Sequence, residues 1–195
     1  AVHAAIALIV LGLRARGHLR ISASGAPSAD VSDIGRDAVT VEHDHDLGKY
    51  MFAFVVFWAY IAFSQFMLIW YANIPEETIW FKHRWTGAWK TVSLLLIFGH
   101  FVIPFLVLMS RHMKRNRIVL GASAAWLLFI HYVDIYWLVM PTHHPDGAQV
   151  GWIDAATLIG LGGAYLTLLF RRLGRHALVP VRDPRLEESI CFENH

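Results

Sequence analysis

The sequence predicts an all-α protein, a polytopic bundle of membrane-spanning helices. Three observations carry this. The 195 residues are 56% hydrophobic and 16% charged, where soluble domains average about 45–50% and about 25%. Four apolar runs are each long enough to cross the hydrocarbon core as a helix, which takes about 20 residues. Basic clusters recur after alternate runs.

The run 51–71, MFAFVVFWAYIAFSQFMLIWY, carries no formal charge and ends on Trp70 and Tyr71, a pair suited to the headgroup level. Before it, residues 1–13 are apolar except for His3. They are too short to span and read as the end of a truncated transmembrane helix. Residues 14–48 read as a cytoplasmic loop, polar through 22–46. The loop closes on His43-Asp44-His45-Asp46, a run that reads as a solvated approach to the next helix or as metal contacts. After the first full span, 73–90 forms a loop broken by Pro75, with Trp80, Phe81, Trp85 and Trp89 as interfacial anchors. Further spans are expected over 91–110, 118–140 and 152–170, so that 49–170 forms a four-helix transmembrane bundle. Residues 171–195 form a polar tail.

Charge sets the orientation. Arg14, Arg16 and Arg20, then Arg111, Lys114, Arg115 and Arg117, then Arg171, Arg172 and Arg175 fall on one side if each run crosses once. The opposite loops hold only Lys82, Arg84 and Lys90. The Arg-rich side and the C-terminus are therefore expected in the cytoplasm. A net charge of +2 offers no basic field for nucleic acid. The single cysteine, Cys191, cannot build a disulfide scaffold, a Cys-ligated cluster or a CxxCH haem attachment within the chain.

Polar groups inside apolar spans are costly and usually face protein or water. At about 100° per residue, Tyr60 and Ser64 share a sector of the 51–71 helix, and Gln65 lies on the line of Trp58. Ser93, His100 and Pro104 align in the next span. Pro104 has no N–H to give the His100 carbonyl, which is expected to leave a bare acceptor there. Ser123 aligns with Asp134 on the following helix, and His131 precedes the Asp by three residues. Asp154 lies near the exterior end of the last span, where Gly160 and Ala164 offer a small-residue packing site. An imidazole beside a carboxylate within a membrane exchanges a proton readily. The residues leave several readings open for His100, His131 and Asp134: a proton relay, a buried network that ties helices together, axial haem ligation by the two histidines, or a polar wall for a quinone ring.

Two stretches carry a resemblance. One runs His45-Asp46-Leu47-Gly48-Lys49, Phe52-Ala53-Phe54, Phe57-Trp58-Ala59-Tyr60-Ile61, Phe63-Ser64-Gln65 and Ile69-Trp70-Tyr71-Ala72-Asn73-Ile74-Pro75-Glu76-Glu77-Thr78. The other runs from His131-Tyr132-Val133-Asp134 through Ile135-Tyr136-Trp137-Leu138-Val139-Met140-Pro141. Both resemble the ActF subunits of bacterial alternative complex III, within the NrfD/PsrC-like membrane proteins, over roughly residues 43–170. The resemblance implies the C-terminal part of a larger protein of two helical bundles in the bacterial plasma membrane. It implies a subunit of a quinol:electron-acceptor oxidoreductase in an electron-transport chain, with cytochrome c or a similar protein as acceptor. The expected partners are a homologous ActC-like subunit, an iron–sulfur protein and multihaem cytochromes, together with lipid and the quinone pool. Haem c and iron–sulfur clusters would lie in those partners and no redox cofactor in this chain, with quinol as a further ligand. The subunit itself would not be catalytic alone and would contribute proton translocation, through candidates Asp134, His131, His100, Tyr60, Ser64, Gln65 and Asp154. The alternatives are a quinol-binding subunit, or a scaffold that docks partners through the Glu76/Glu77 loop and the tail.

Overall fold

A computed structural model describes residues 2–15, 39–145, 147–149, 151–173 and 183–191. It is 87% helical and contains no strand among the described residues, as the apolar runs require. Four helical stretches are long and apolar enough to cross a membrane: Val41–Ala72, Gly87–Met109, Arg117–Thr142 and Trp152–Leu173. The helices are α1 (Val2–Ala15), α2 (Val41–Ala72), α3 (Pro75–Arg84), α4 (Gly87–Leu96), α5 (Ile103–Met109), α6 (Arg111–Arg115), α7 (Arg117–Val139), α8 (Trp152–Leu173) and α9 (Leu186–Ile190). A π-helical segment, Ile97–Val102, joins α4 to α5. The chain divides into two units, Ala1–Leu11 with His43–Ala148, and Gly12–Glu42 with Gln149–His195.

In the first unit, Ala4 and Ala7 of α1 pack with Met51 and Val55 of α2, Leu96 of α4, Leu108 of α5, and Leu120, Ala124, Leu127 and Ile130 of α7. Small residues on α1 allow close approach without a hydrophobic driving force from lipid. The outer side of α2 stays bare: Phe54, Phe57, Phe63 and Phe66 are all exposed.

Two boundaries differ from the sequence reading. The expected loop 14–48 is helical from Val41 onward. Apolarity marks only the part of a helix that lipid would cover. Helix α2 has 32 residues and is about 48 Å long at 1.5 Å per residue, well beyond the roughly 30 Å hydrocarbon core. Its polar first turns hold together by ion pairs: Lys49 Nζ to Asp46 Oδ1 at 3.0 Å, and Arg117 Nε to the fully buried Asp44 Oδ2 at 3.3 Å. Residues 14–15 and 39–40 are described and the rest of 14–40 lies outside the described residues. The expected loop 73–90 contains α3, started by Pro75 in the first turn, with Glu76 and Glu77 at the positive end of its dipole.

Helix α3 is fastened by aromatic contacts and one buried cation. Phe81 meets Phe66 of α2 edge to face at 5.4 Å, and Trp80 meets Trp137 of α7 at 5.3 Å and 90°. Arg84, only 4% exposed, donates from Nη2 to Leu138 O at 2.7 Å, from Nη1 to Trp80 O at 3.0 Å and from Nε to Trp137 O at 3.3 Å. Its guanidinium lies 3.6 Å from the Trp80 ring centroid. Two of these acceptors are end carbonyls of α7, which carry the negative pole of that helix. Burial pulls the Arg84 guanidinium below the ordinary arginine value. Ser93 accepts the Trp137 indole N–H at 2.8 Å and donates to Arg84 O at 2.8 Å, closing the node. Trp89 is fully buried and donates to His144 O at 2.8 Å, so it packs inside rather than anchoring at the interface. Trp85 is exposed, as an anchor would be.

In the second unit, α8 buries none of its residues. Gly160 has nothing within 4 Å of where a Cβ would stand.

Candidate functional site

The site forms where α2, the π segment and α7 meet. His131 and Asp134 stand three residues apart on α7 and so share a face. His131 Nδ1 lies 3.9 Å from Asp134 Oδ2, a close contact that is longer than a hydrogen bond. The third member is Trp58 of α2, whose indole Nε1 donates to the same Asp134 Oδ2 at 3.0 Å. His100 completes the group: its ring lies 4.0 Å from the Trp58 ring, tilted 44°, and 6.1 Å from the His131 ring.

The backbone explains how His100 gets there. In the π segment, Ile103 N–H bonds to Phe98 O, one residue beyond the α-helical partner. That register places Pro104 opposite the Gly99 carbonyl, and proline has no N–H to donate. The indole Nε1 of Trp126 on α7 fills the gap, donating to Gly99 O at 2.7 Å. The bare carbonyl expected at His100 thus has a counterpart one residue earlier, and a neighbouring helix satisfies it. A side chain at Gly99 would stand 3.1 Å from Ile130 Cδ1 and 3.3 Å from Trp126 Cζ2, so glycine is what lets the two helices approach. The extra residue per turn turns His100 inward, where it is 94% buried by its 6% exposure.

An imidazole beside a carboxylate is a pair that can exchange a proton. Asp134 and His100 are buried, at 7% and 6% exposure. His100 Nδ1 is buried and has no hydrogen-bond partner among the described residues, which is uncommon for a buried nitrogen and marks it for a function or a further ligand. The His131 side chain is 34% exposed, against 11% for Asp134.

Asp134, His131 and His100, three of the residues expected from the sequence, come together. Tyr60 and Gln65 are exposed on α2 and Ser64 is half-buried there, and none of the three joins the group. The α2 residue that does is Trp58, which lies about 160° around the helix from Tyr60 and about 120° from Ser64 at 100° per residue. Asp154, in the second unit, accepts the Gly151 N–H at 2.8 Å through Oδ2. It thereby helps close the start of its own helix, as the reaching-back acid of a capping box does. Ser93, expected in line with His100, instead serves the Arg84 node.

Sequence reasoning passed over Trp58, Trp126 and Arg84. Each had a signal. A tryptophan inside an apolar span carries a donor that must find an acceptor, and Arg84 has Trp80 one turn before it. Among the described residues, no three His, Cys, Asp or Glu side chains stand where one metal ion would bind. The run His43–Asp46 lies on the first turns of α2, with Asp44 turned to Arg117 and Asp46 to Lys49.

Compared with models of protein families and with the curated proteins, the chain matches none.

Proposed function

We propose that this chain is an integral membrane subunit of a quinol-oxidising complex of the alternative complex III kind. It sits in the bacterial plasma membrane with its C-terminus in the cytoplasm, and it contributes a path for protons rather than redox chemistry. The orientation rests on the Arg-rich clusters at 14–20, 111–117 and 171–175. The resemblance of the α2 and α7 stretches supports the assignment to the complex.

The observation that carries the proton reading is the buried Asp134, touched by His131 and adjoined through Trp58 to His100, within apolar helices. Ionisable groups at such depth are expensive and usually functional. His100 Nδ1, buried and without a hydrogen-bond partner among the described residues, also favours a functional cluster over a network that merely ties helices together.

The test is Asp134→Asn in the intact complex reconstituted into vesicles, with quinol oxidation and vectorial proton movement recorded together. Electron transfer that continues while proton movement falls supports the relay. If both continue unchanged, Asp134 only holds the helices together and the scaffold reading replaces this one. Collapse of quinol oxidation in an assembled complex places a quinol site in this chain instead.

A further inference from the structure

Trp58 touches both Asp134 and His100. Its indole N–H lies on Asp134 Oδ2 at 3.0 Å, and its ring lies 4.0 Å from that of His100. The same Oδ2 faces His131 Nδ1 at 3.9 Å. A carboxylate otherwise turns freely about its last torsion, which is broad and two-fold. A donor on one oxygen stops that rotation. An N–H donor also binds a carboxylate more strongly than a neutral acid.

We infer that Trp58 is the positioning residue of the cluster: its N–H holds Asp134 Oδ2 toward His131, and its ring covers His100, so that protons reach Asp134 by way of His131. The inference rests on the proton-path reading above. In the step itself His131 and Asp134 close from 3.9 Å to hydrogen-bond contact, and the N–H bond of His131 Nδ1 breaks as an O–H bond forms on Asp134 Oδ2. The imidazolium becomes imidazole, the carboxylate becomes acid, and no electron changes hands. Trp58 keeps its proton throughout. The titratable groups around Asp134 are His131 on its own helix and, past the indole, His100 on the π segment. Among the described side chains of α1, Ala4, Ala7, Leu8 and Leu11 pack into this core.

The experiment uses the intact complex in vesicles and reads protons moved per quinol oxidised, as a function of pH. Trp58→Phe keeps a ring against His100 and removes the donor. Benzothienylalanine at position 58 keeps the full indole shape and replaces only the N–H, so the measurement does not depend on whether Trp58→Phe assembles. Trp126→Phe is the control, because its indole N–H serves a backbone carbonyl at Gly99 and no carboxylate. The expected result is a displacement of the pH midpoint by about one unit at position 58, the tenfold scale of one hydrogen bond to a charged group, and none for Trp126→Phe. A wild-type profile in both position-58 variants, while Asp134→Asn abolishes proton movement, overturns this inference and leaves the proton path standing. Proton movement that survives Asp134→Asn overturns both. An equal displacement in Trp126→Phe also overturns it, since general loosening would then explain the effect.

Discussion

Replacing Arg84 by alanine tests how the α3 end of the first unit holds together. The guanidinium makes two short hydrogen bonds, 2.7 Å to Leu138 O and 3.0 Å to Trp80 O, and a longer one of 3.3 Å to Trp137 O. Hydrogen bonds to charged groups contribute about 1.5–3 kcal/mol each, and stacking of a desolvated cation on tryptophan adds about 1–2 kcal/mol. Part of this is offset, because removing the arginine also removes the cost of keeping a charge out of water. The net loss is about 3 kcal/mol, or roughly a hundredfold in the unfolding equilibrium. Arg84→Lys keeps the charge but not the planar fork or the stack, and about half of the loss is expected. The assay is denaturant unfolding of the purified protein in detergent, followed by tryptophan fluorescence. Lys82→Ala on the same helix is the reference, since Lys82 is exposed and surface changes stay within about 0.5 kcal/mol. Equal midpoints for Arg84→Ala and Lys82→Ala would refute the reasoning: the buried cation would then contribute nothing beyond its surroundings.

Gly99→Ala places a methyl 3.1 Å from Ile130 Cδ1 and is expected to cost about 1–3 kcal/mol in overpacking; adding Ile130→Val, which removes that atom, recovers part of the loss in a double-mutant unfolding series. Asn116 accepts the N–H groups of Ile118 at 3.0 Å and Val119 at 3.4 Å at the start of α7, so Asn116→Ala lowers stability by about 1 kcal/mol in the same assay, whereas Asn116→Asp is close to neutral. Burial, and then repulsion from Lys49, lowers the Lys114 ammonium below its ordinary value of 10.5. Between the lowered folded value and the ordinary unfolded one the unfolded chain holds more protons, so stability rises with pH through that alkaline window; unfolding midpoints measured across it rise for the native chain and stay flat for Lys114→Met.

The spanning helices were legible because the bilayer demands length and apolarity of every crossing segment, whatever the helix touches. The 51–71 run and the aromatic pair Trp70 and Tyr71 both follow from local composition. Spacing alone also put His131 and Asp134 on one face, because an α-helix repeats every 3.6 residues. The start of α2 at Val41 was not legible, since nothing local distinguishes a polar helix end from a polar loop until Asp44 is seen against Arg117.

The sequence by itself determined that the chain is a set of apolar helices with ionisable groups sunk into them. Only the tertiary structure decided which of those groups meet. Tyr60, Ser64 and Gln65 satisfied every local criterion, yet α2 turns Trp58 to Asp134, leaves Tyr60 on another side, and carries Gln65, on Trp58's own line, exposed two turns further along. The rotation of a helix about its own axis is set by packing against its neighbours. For α2 those contacts are Met51 and Val55 against the core, and for His100 they are a π turn, a glycine at 99 and the indole of Trp126. Each of these is a relation between residues far apart in the chain, which no periodicity within one helix can express.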